Sequence, residues 1–355
     1  PQRRQQPPQP GPHWQVPPPP ARPMTPGRVA QSGSVGPLHV DIREADLVKP
    51  HKDVPTRGWR KVVYKLTRIN VGVSPAERRW NDLNRRIATN LRGDYLIGVL
   101  QIKGGVSKTT TAIGLGQALS RYRDDKIAAI DVNPASGNLK DRIDEPSEET
   151  WRGLVGDPNL NAYSDLRHYM GRDTSTGLEV LAADHGDGVL TGPDVKEIWT
   201  RIRRHYPIGI VDCGTQLRDD VTEQVLAHVD AVVVVSTTRL DGARAAQETL
   251  NWLATHGCAH LVRSAVLVIS DVNKVTPDES VKKLREGFSK AVHAVHDVPF
   301  DPHLSEAAAI NFDRLRKPTQ RAFIEAAASL VDGFASAPDK DAGHMGQAWL
   351  GQEGR

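Results

Sequence analysis

Three features of the sequence predict an α/β fold, with a mostly parallel sheet of about seven strands flanked by helices. From residue 94 onward, short apolar runs alternate with helical stretches. Several of the runs are apolar throughout, "AVVVVS" at 231–236 above all, as strands covered on both faces require. The first run passes through a glycine pair straight into helical periodicity, "VLQIKGGVSKTTTAIGLGQAL". Alternation of this kind argues for parallel pairing with right-handed crossovers. Strands are expected at 96–102, 126–131, 178–182, 208–212, 231–236, 265–270 and 295–299, and long helices at 241–256 and 318–334.

The chain ahead of this domain has a different composition. Residues 1–36 hold eleven prolines and few large apolar residues, which cannot bury a core and predict a disordered tail, locally polyproline II, over 1–52. Such a tail is either a spacer or a docking segment for a proline-binding partner. A basic helical collar is expected over 53–93. In "RGWRKVVYKLTRIN" (57–70) the spacing places Trp59, Val62, Val63, Leu66 and Ile69 on one helical face, to pack on the neighbouring domain or to meet a membrane surface. A second helix opens at "SPAE", with Ser74 as N-cap, Pro75 at the first position and Glu77 closing a capping box. Its apolar stripe is Trp80, Leu83 and Ile87. The main domain spans 94–335, and 336–355 read as a frayed tail.

Charge is distributed unevenly. Residues 1–100 carry 17 Lys/Arg against 7 Asp/Glu, whereas the remaining residues carry 29 against 36. The basic leader suits an anionic membrane, nucleic acid or an acidic partner, and charge alone does not choose among them. Two cysteines, Cys213 and Cys258, are too few for a disulfide framework or a zinc cluster, so a reducing cytoplasm is the expected compartment. No apolar run approaches the length of a membrane span, and no secretory signal is recognisable. The sequence begins at Pro1 rather than a methionine, the pattern of a fragment.

The glycine-rich turn carries the chemistry. Leaving a strand and entering a helix, it has the context of a phosphate-binding loop. Backbone N–H groups of Gly104, Gly105, Val106, Ser107, Lys108, Thr109 and Thr110 are placed to cup phosphate oxygens at the positive end of the helix. Lys108 is expected to reach the β and γ phosphates, and the Thr109 hydroxyl to ligate Mg²⁺.

With Lys103 ahead of the glycines, "KGGVSKTT" resembles the deviant Walker A motif of the MinD/ParA ATPases. "AAIDVNPASGNL" (128–139) resembles the family's switch I segment, and "IGIVDCGTQL" (208–217) its Walker B strand and switch II. The likeness covers roughly residues 95–335. The "GWR" segment, "GVSPAE" and the proline-rich tail are similar to the EspI-like group of MinD-type proteins that accompany type VII (ESX) secretion systems. The resemblance implies ATP and Mg²⁺ as cofactors and an ATP-dependent sandwich homodimer into which Lys103 reaches across to the partner's nucleotide. It also implies that Asp212 holds a Mg²⁺ water and that Asp131 is available to the metal shell. Adenine recognition would fall to the segment after a late strand, with Asn273 the nearest match, and to Pro299.

Two departures bear on activity. Ser107 replaces a glycine, which costs about 1–2 kcal/mol if that position needs positive φ. Asn133 replaces the aspartate near the attacking water, so slow hydrolysis is expected. Cys213, beside Asp212, is expected to be a buried inert thiol, and His185, His205, His256, His260 and His303 lack metal-ligand spacing. The first reading is therefore a cytoplasmic switch ATPase serving type VII secretion, at most peripheral to the inner membrane, with partners on the collar or the tail. A ParA-type ATPase binding DNA nonspecifically, a MinD-type membrane positioner and a non-hydrolysing scaffold are the alternatives.

Overall fold

The computed structural model describes residues 58–68, 70, 72–134, 137–186, 189–274 and 278–334. The expected tails at 1–52 and 336–355 lie outside the described residues, as do residues 53–57 of the collar. In chain order the elements are α1 (Gly58–Thr67), α2 (Pro75–Ile87), β1 (Tyr95–Leu100), α3 (Lys108–Tyr122) and β2 (Ile127–Val132). Next come α4 (Trp151–Gly156), α5 (Tyr163–Tyr169), β3 (Met170–Arg172), β4 (Glu179–Leu181), α6 (Gly192–Ile202) and β5 (Ile208–Cys213). The rest are α7 (Asp220–His228), β6 (Ala231–Thr237), α8 (Leu240–Thr255), α9 (Ala259–Ser264), β7 (Val266–Ser270), α10 (Asp278–Phe288), β8 (Ala294–Val298), α11 (Pro302–Ser305) and α12 (Lys317–Val331).

The sheet order is β3-β4-β2-β5-β1-β6-β7-β8. Every pairing is parallel except that of β3 with β4. The seven expected strands are present with their ends moved by a residue or two, and β3 is additional. Because β1, β2 and β5 lie side by side at the centre, their carboxyl ends bring the loops after Leu100, Val132 and Cys213 to one edge of the sheet. That edge is where an open α/β sheet binds its ligand.

Alternation along the strands feeds two cores. Ile97 and Val99 face α3 and α12, whereas Leu96 and Leu100 face α6, α7 and α8. The collar's second helix joins the first of these cores. Ser74 Oγ accepts from Glu77 N at 3.1 Å, Pro75 opens the helix, and Ile87 is fully buried beside Leu83. Trp80 meets Tyr122 edge-on at 5.7 Å. Truncating Ile87 would therefore cost about 2–5 kcal/mol. For the first collar helix, packing on the domain and a membrane surface were both open. Leu66, placed by its spacing on a packing face, is 79% exposed and not seated on the domain. The side chains of Trp59, Val62 and Ile69, from the same stripe, lie outside the described residues.

Candidate functional site

The loop between β1 and α3 is held from below by a buried amide. Gln101 Nε2 donates to Val235 O at 2.6 Å, while Gln101 Oε1 accepts from Ile102 N at 2.8 Å and from Thr249 Oγ1 at 2.9 Å. The loop above it turns on two left-handed residues, Gly105 at φ +70° and Ser107 at φ +74°. Gly105 adopts this freely, whereas the Cβ of Ser107 makes it strained. Ser107 occupies the N-cap position of α3 without a side-chain capping bond. The first N–H groups of the helix are therefore left for an anion.

The side chains here converge. Lys108 Nζ folds back over the loop to 3.4 Å from Lys103 O, and burial lowers its pKa against the opposing pull of Asp212. Thr109 Oγ1 donates to Asp212 Oδ2 at 2.6 Å. Asp212 Oδ1 is buried without a hydrogen-bond partner among the described residues. Asp212 pairs in register with Asp131 on the adjacent strand, and both are essentially inaccessible. Burial pushes both carboxyls above the ordinary carboxylate range, and for Asp212 the charge of Asp131 acts in the same direction.

Asp131 has a more enclosed setting than an open metal position. Its Oδ1 accepts from Asn133 N at 3.1 Å and its Oδ2 from Leu139 N at 3.0 Å, so the switch segment is wrapped around the carboxylate. Gly137 makes the wrapping possible, because a Cβ there would collide with both Asp131 oxygens and with Ala183 Cβ. Asn133 lies against Gly214, its Oδ1 3.5 Å from where a Gly214 Cβ would stand, so the segments after β2 and β5 abut. Cys213 is buried, and burial pushes its thiol far up, which makes it the inert group expected.

Lys103 does not point into this cluster. Its Nζ lies 2.7 Å from Asp241 Oδ2 at the start of α8, and that bond, with a second from Gly242 N, holds the Asp241 carboxyl down to about 2. On the far side of Ser107 and Thr110 a small cleft is lined by Ser270, Asp271, Val272, Pro299 and Phe300. Pro299 is thus part of that cleft. Asn273 does not line the cleft but lies exposed on the turn beyond it. In that turn Asp271 Oδ1 accepts from Lys274 N at 3.1 Å, and Asp271 lines the cleft.

The glycine-rich loop, Lys108, Thr109, Asp131, Asn133 and Asp212 are thereby gathered at one edge. Sequence reasoning did not single out Gly137, although it lies within the segment 128–139, nor Asp241 and Asp271. No cluster with metal-ligand composition forms from His, Cys, Asp and Glu among the described residues, the five histidines noted above included. None of the described helices is long and apolar enough to cross a membrane.

Comparison with known proteins agrees with this geometry. The chain is 37% identical over 291 residues to the ESX-1 secretion-associated protein EspI from two strains of Mycobacterium tuberculosis, a match covering 81% of this chain and 44% of theirs. The chain thus spans less than half the length of these relatives. A putative replication protein A of Rhizobium rhizogenes is 23% identical over 222 residues, covering 51% of this chain and 54% of its own. Among solved structures, a ParA family ATPase from Chlorobium tepidum TLS superposes with a TM-score of 0.55 at 16% identity, over 66% of this chain and 98% of that one. The Pyrococcus furiosus cell division ATPase MinD gives 0.52 at 17% identity, over 67% and 98%. These two likenesses show the fold. Residues 97–311 match the family model of the CobQ/CobB/MinD/ParA nucleotide binding domain, and the chain belongs to that family.

Proposed function

We propose that the chain is a Mg-ATP-binding, slowly hydrolysing switch that dimerises when ATP is bound and serves type VII (ESX) protein secretion from the cytoplasmic side. The observation that carries this reading is the convergence of Lys108 and Thr109 at the uncapped start of α3, with Thr109 hydrogen-bonded to buried Asp212. The donor set fits the cofactor. Backbone N–H groups from Gly104 to Thr110 would cradle the phosphates, Lys108 would reach the β and γ positions, and Thr109 and Asp212 would hold Mg²⁺ directly or through water. Asp212 Oδ1, buried without a partner among the described residues, is the kind of oxygen such an ion or its water satisfies. Mg²⁺, when bound, neutralises charge on the β and γ phosphate oxygens.

The chain's own residues do the rest. Asp131 anchors the switch segment through Asn133 N and Leu139 N, and so sets where the Asn133 side chain stands. An amide oxygen there orients a water without accepting its proton, which supports slow turnover. Lys103 is the candidate for the contact across a dimer, and it must leave Asp241 to make it. The base would lie in the cleft beside Pro299. The link to secretion rests on the 37% identity to EspI, whose name states an ESX-1 association, and partners would meet the collar or the Pro-rich tail.

Light-scattering mass with ADP, and with ATP under blocked hydrolysis, tests the switch. A dimer with ATP alone is expected, whereas one mass in every nucleotide state would remove it. Salt-sensitive, ATP-dependent DNA binding in the same preparations would favour the partition reading instead.

A further inference from the structure

Arg142 closes a single 3-10 turn, Lys140–Arg142, immediately after the switch segment. Its backbone is fixed on two sides, with Arg142 N donating to Leu139 O at 3.1 Å and Arg142 O accepting from Ile310 N at 2.9 Å. Leu139 N is the same group that clasps Asp131. The turn is therefore anchored to the acidic edge of the site by main-chain bonds that owe nothing to the arginine side chain.

The guanidinium itself has no comparable anchor. Nε and Nη1 are shut off from solvent and have no hydrogen-bond partner among the described residues. Asp141 and Asp212 are the acids that act on it, and Asp212 is in turn drawn on by both Lys108 and Arg142. One buried carboxylate thus feels the charge of a cation from the phosphate loop and of a cation from the switch turn. No ion pair joins Arg142 to Asp212, although Asp212 Oδ1 is also without a hydrogen-bond partner among the described residues. A guanidinium remains charged at any working pH and offers its donors in a rigid fork. Buried donors of this kind are almost always satisfied. Two that are not, on a turn anchored to the acidic edge of the site, mark a place completed by an anion rich in acceptor oxygens.

We propose that Arg142 is a γ-phosphate-reading residue acting in cis, its Nε and Nη1 donating to the terminal phosphate of bound ATP. This rests on the Mg-ATP reading above and adds to it the means of telling ATP from ADP. Lys108 serves both nucleotides, since it also meets the β-phosphate, whereas Arg142 would have an acceptor only while the terminal phosphate is present. Binding there would join the switch turn to the phosphate loop and carry the nucleotide state to Ile310. Ile310 is held on its other side by Gln117 Nε2, which donates to its carbonyl at 2.5 Å.

The test is calorimetric titration of a non-hydrolysable ATP analogue and of ADP, each with Mg²⁺, into the wild type, Arg142→Gln and Arg142→Lys, with thermal midpoints of the nucleotide-free proteins. Arg142→Gln is expected to weaken the analogue tenfold or more while ADP moves less than twofold, with the midpoint unchanged and Arg142→Lys recovering part of the loss. Equal weakening of both nucleotides, a fall in the nucleotide-free midpoint that accounts for the change, or unaltered affinities would each overturn the assignment and leave Arg142 a structural counter-ion. A wild type that binds neither nucleotide would remove the Mg-ATP reading itself, and this inference with it.

Discussion

Lys103 Nζ is bonded to Asp241 Oδ2 at 2.7 Å within one chain, so the lysine expected to cross to a second subunit is held by its own α8. Both side chains are more than two-fifths exposed, which makes the pair easy to break. Asp241→Asn should free Lys103 and strengthen ATP-dependent dimerisation by about threefold, the scale of an exposed ion pair. Lys103→Ala should abolish the dimer while ATP affinity stays near normal. Light-scattering mass against protein concentration reads both, and a dimer that survives Lys103→Ala would exclude the lysine from the interface.

Ser107 at φ +74° predicts a substitution that improves the protein. Relieving the left-handed strain gains about 1–2 kcal/mol, and the added freedom of glycine in the unfolded chain takes back about 0.5–1 kcal/mol. Ser107→Gly should thus raise stability by about 1 kcal/mol and tighten nucleotide binding, whereas Ser107→Val should lower both. Denaturant midpoints decide, and a glycine variant less stable than wild type would show that the loop carries no strain.

Asn133→Asp introduces a third carboxyl next to the Asp131–Asp212 pair and against Gly214. In such surroundings its pKa should also rise, which suits a base that takes a proton from water. The steady-state ATPase rate should increase by about tenfold. An unchanged rate with unchanged ATP affinity would place the slow step elsewhere.

The parts of this protein legible in its sequence are those whose signal is local. Runs such as Ala231–Thr237 are apolar because both faces of the strand are covered, and Ser74-Pro75 marks a helix start by its own chemistry. The β3 strand escaped because three residues, Met170–Arg172, follow α5 without a break and owe their strand character only to pairing with β4. Asp241 escaped because its bond to Lys103 spans 138 positions. Asn273 was named from residue type alone, and which side chains line the neighbouring cleft, Asp271 among them, depends on the turn closed by Lys274 N. Leu66 fits an apolar stripe, yet a stripe says nothing of whether a partner surface lies beneath it.

His296 on β8 provides a stability signal away from the site. Burial holds its pKa down to about 4, with Arg285, Arg86 and His293 acting in the same direction and Glu325 against. Its Nε2 lies 2.9 Å from Ser329 Oγ. The unfolded chain takes up this proton near pH 6.5 and the folded chain only near 4, so stability falls as pH drops through that window, by about 3 kcal/mol at its end. His296→Gln should lack this contribution. Comparing unfolding midpoints of the two proteins from pH 7 to 4 isolates it, and parallel curves would contradict a half-buried histidine held neutral.

Calorimetric titration of Mg-ATP into the wild type and Lys108→Ala tests the central claim most directly. Lys108 sits over the loop and next to Asp212 without holding either in place, so its loss should leave the fold intact and remove binding alone. Saturable binding by the wild type and none by a folded Lys108→Ala is the predicted result. A wild type that shows no heat with millimolar Mg-ATP, or a Lys108→Ala that binds as well as wild type, would contradict the nucleotide site described here.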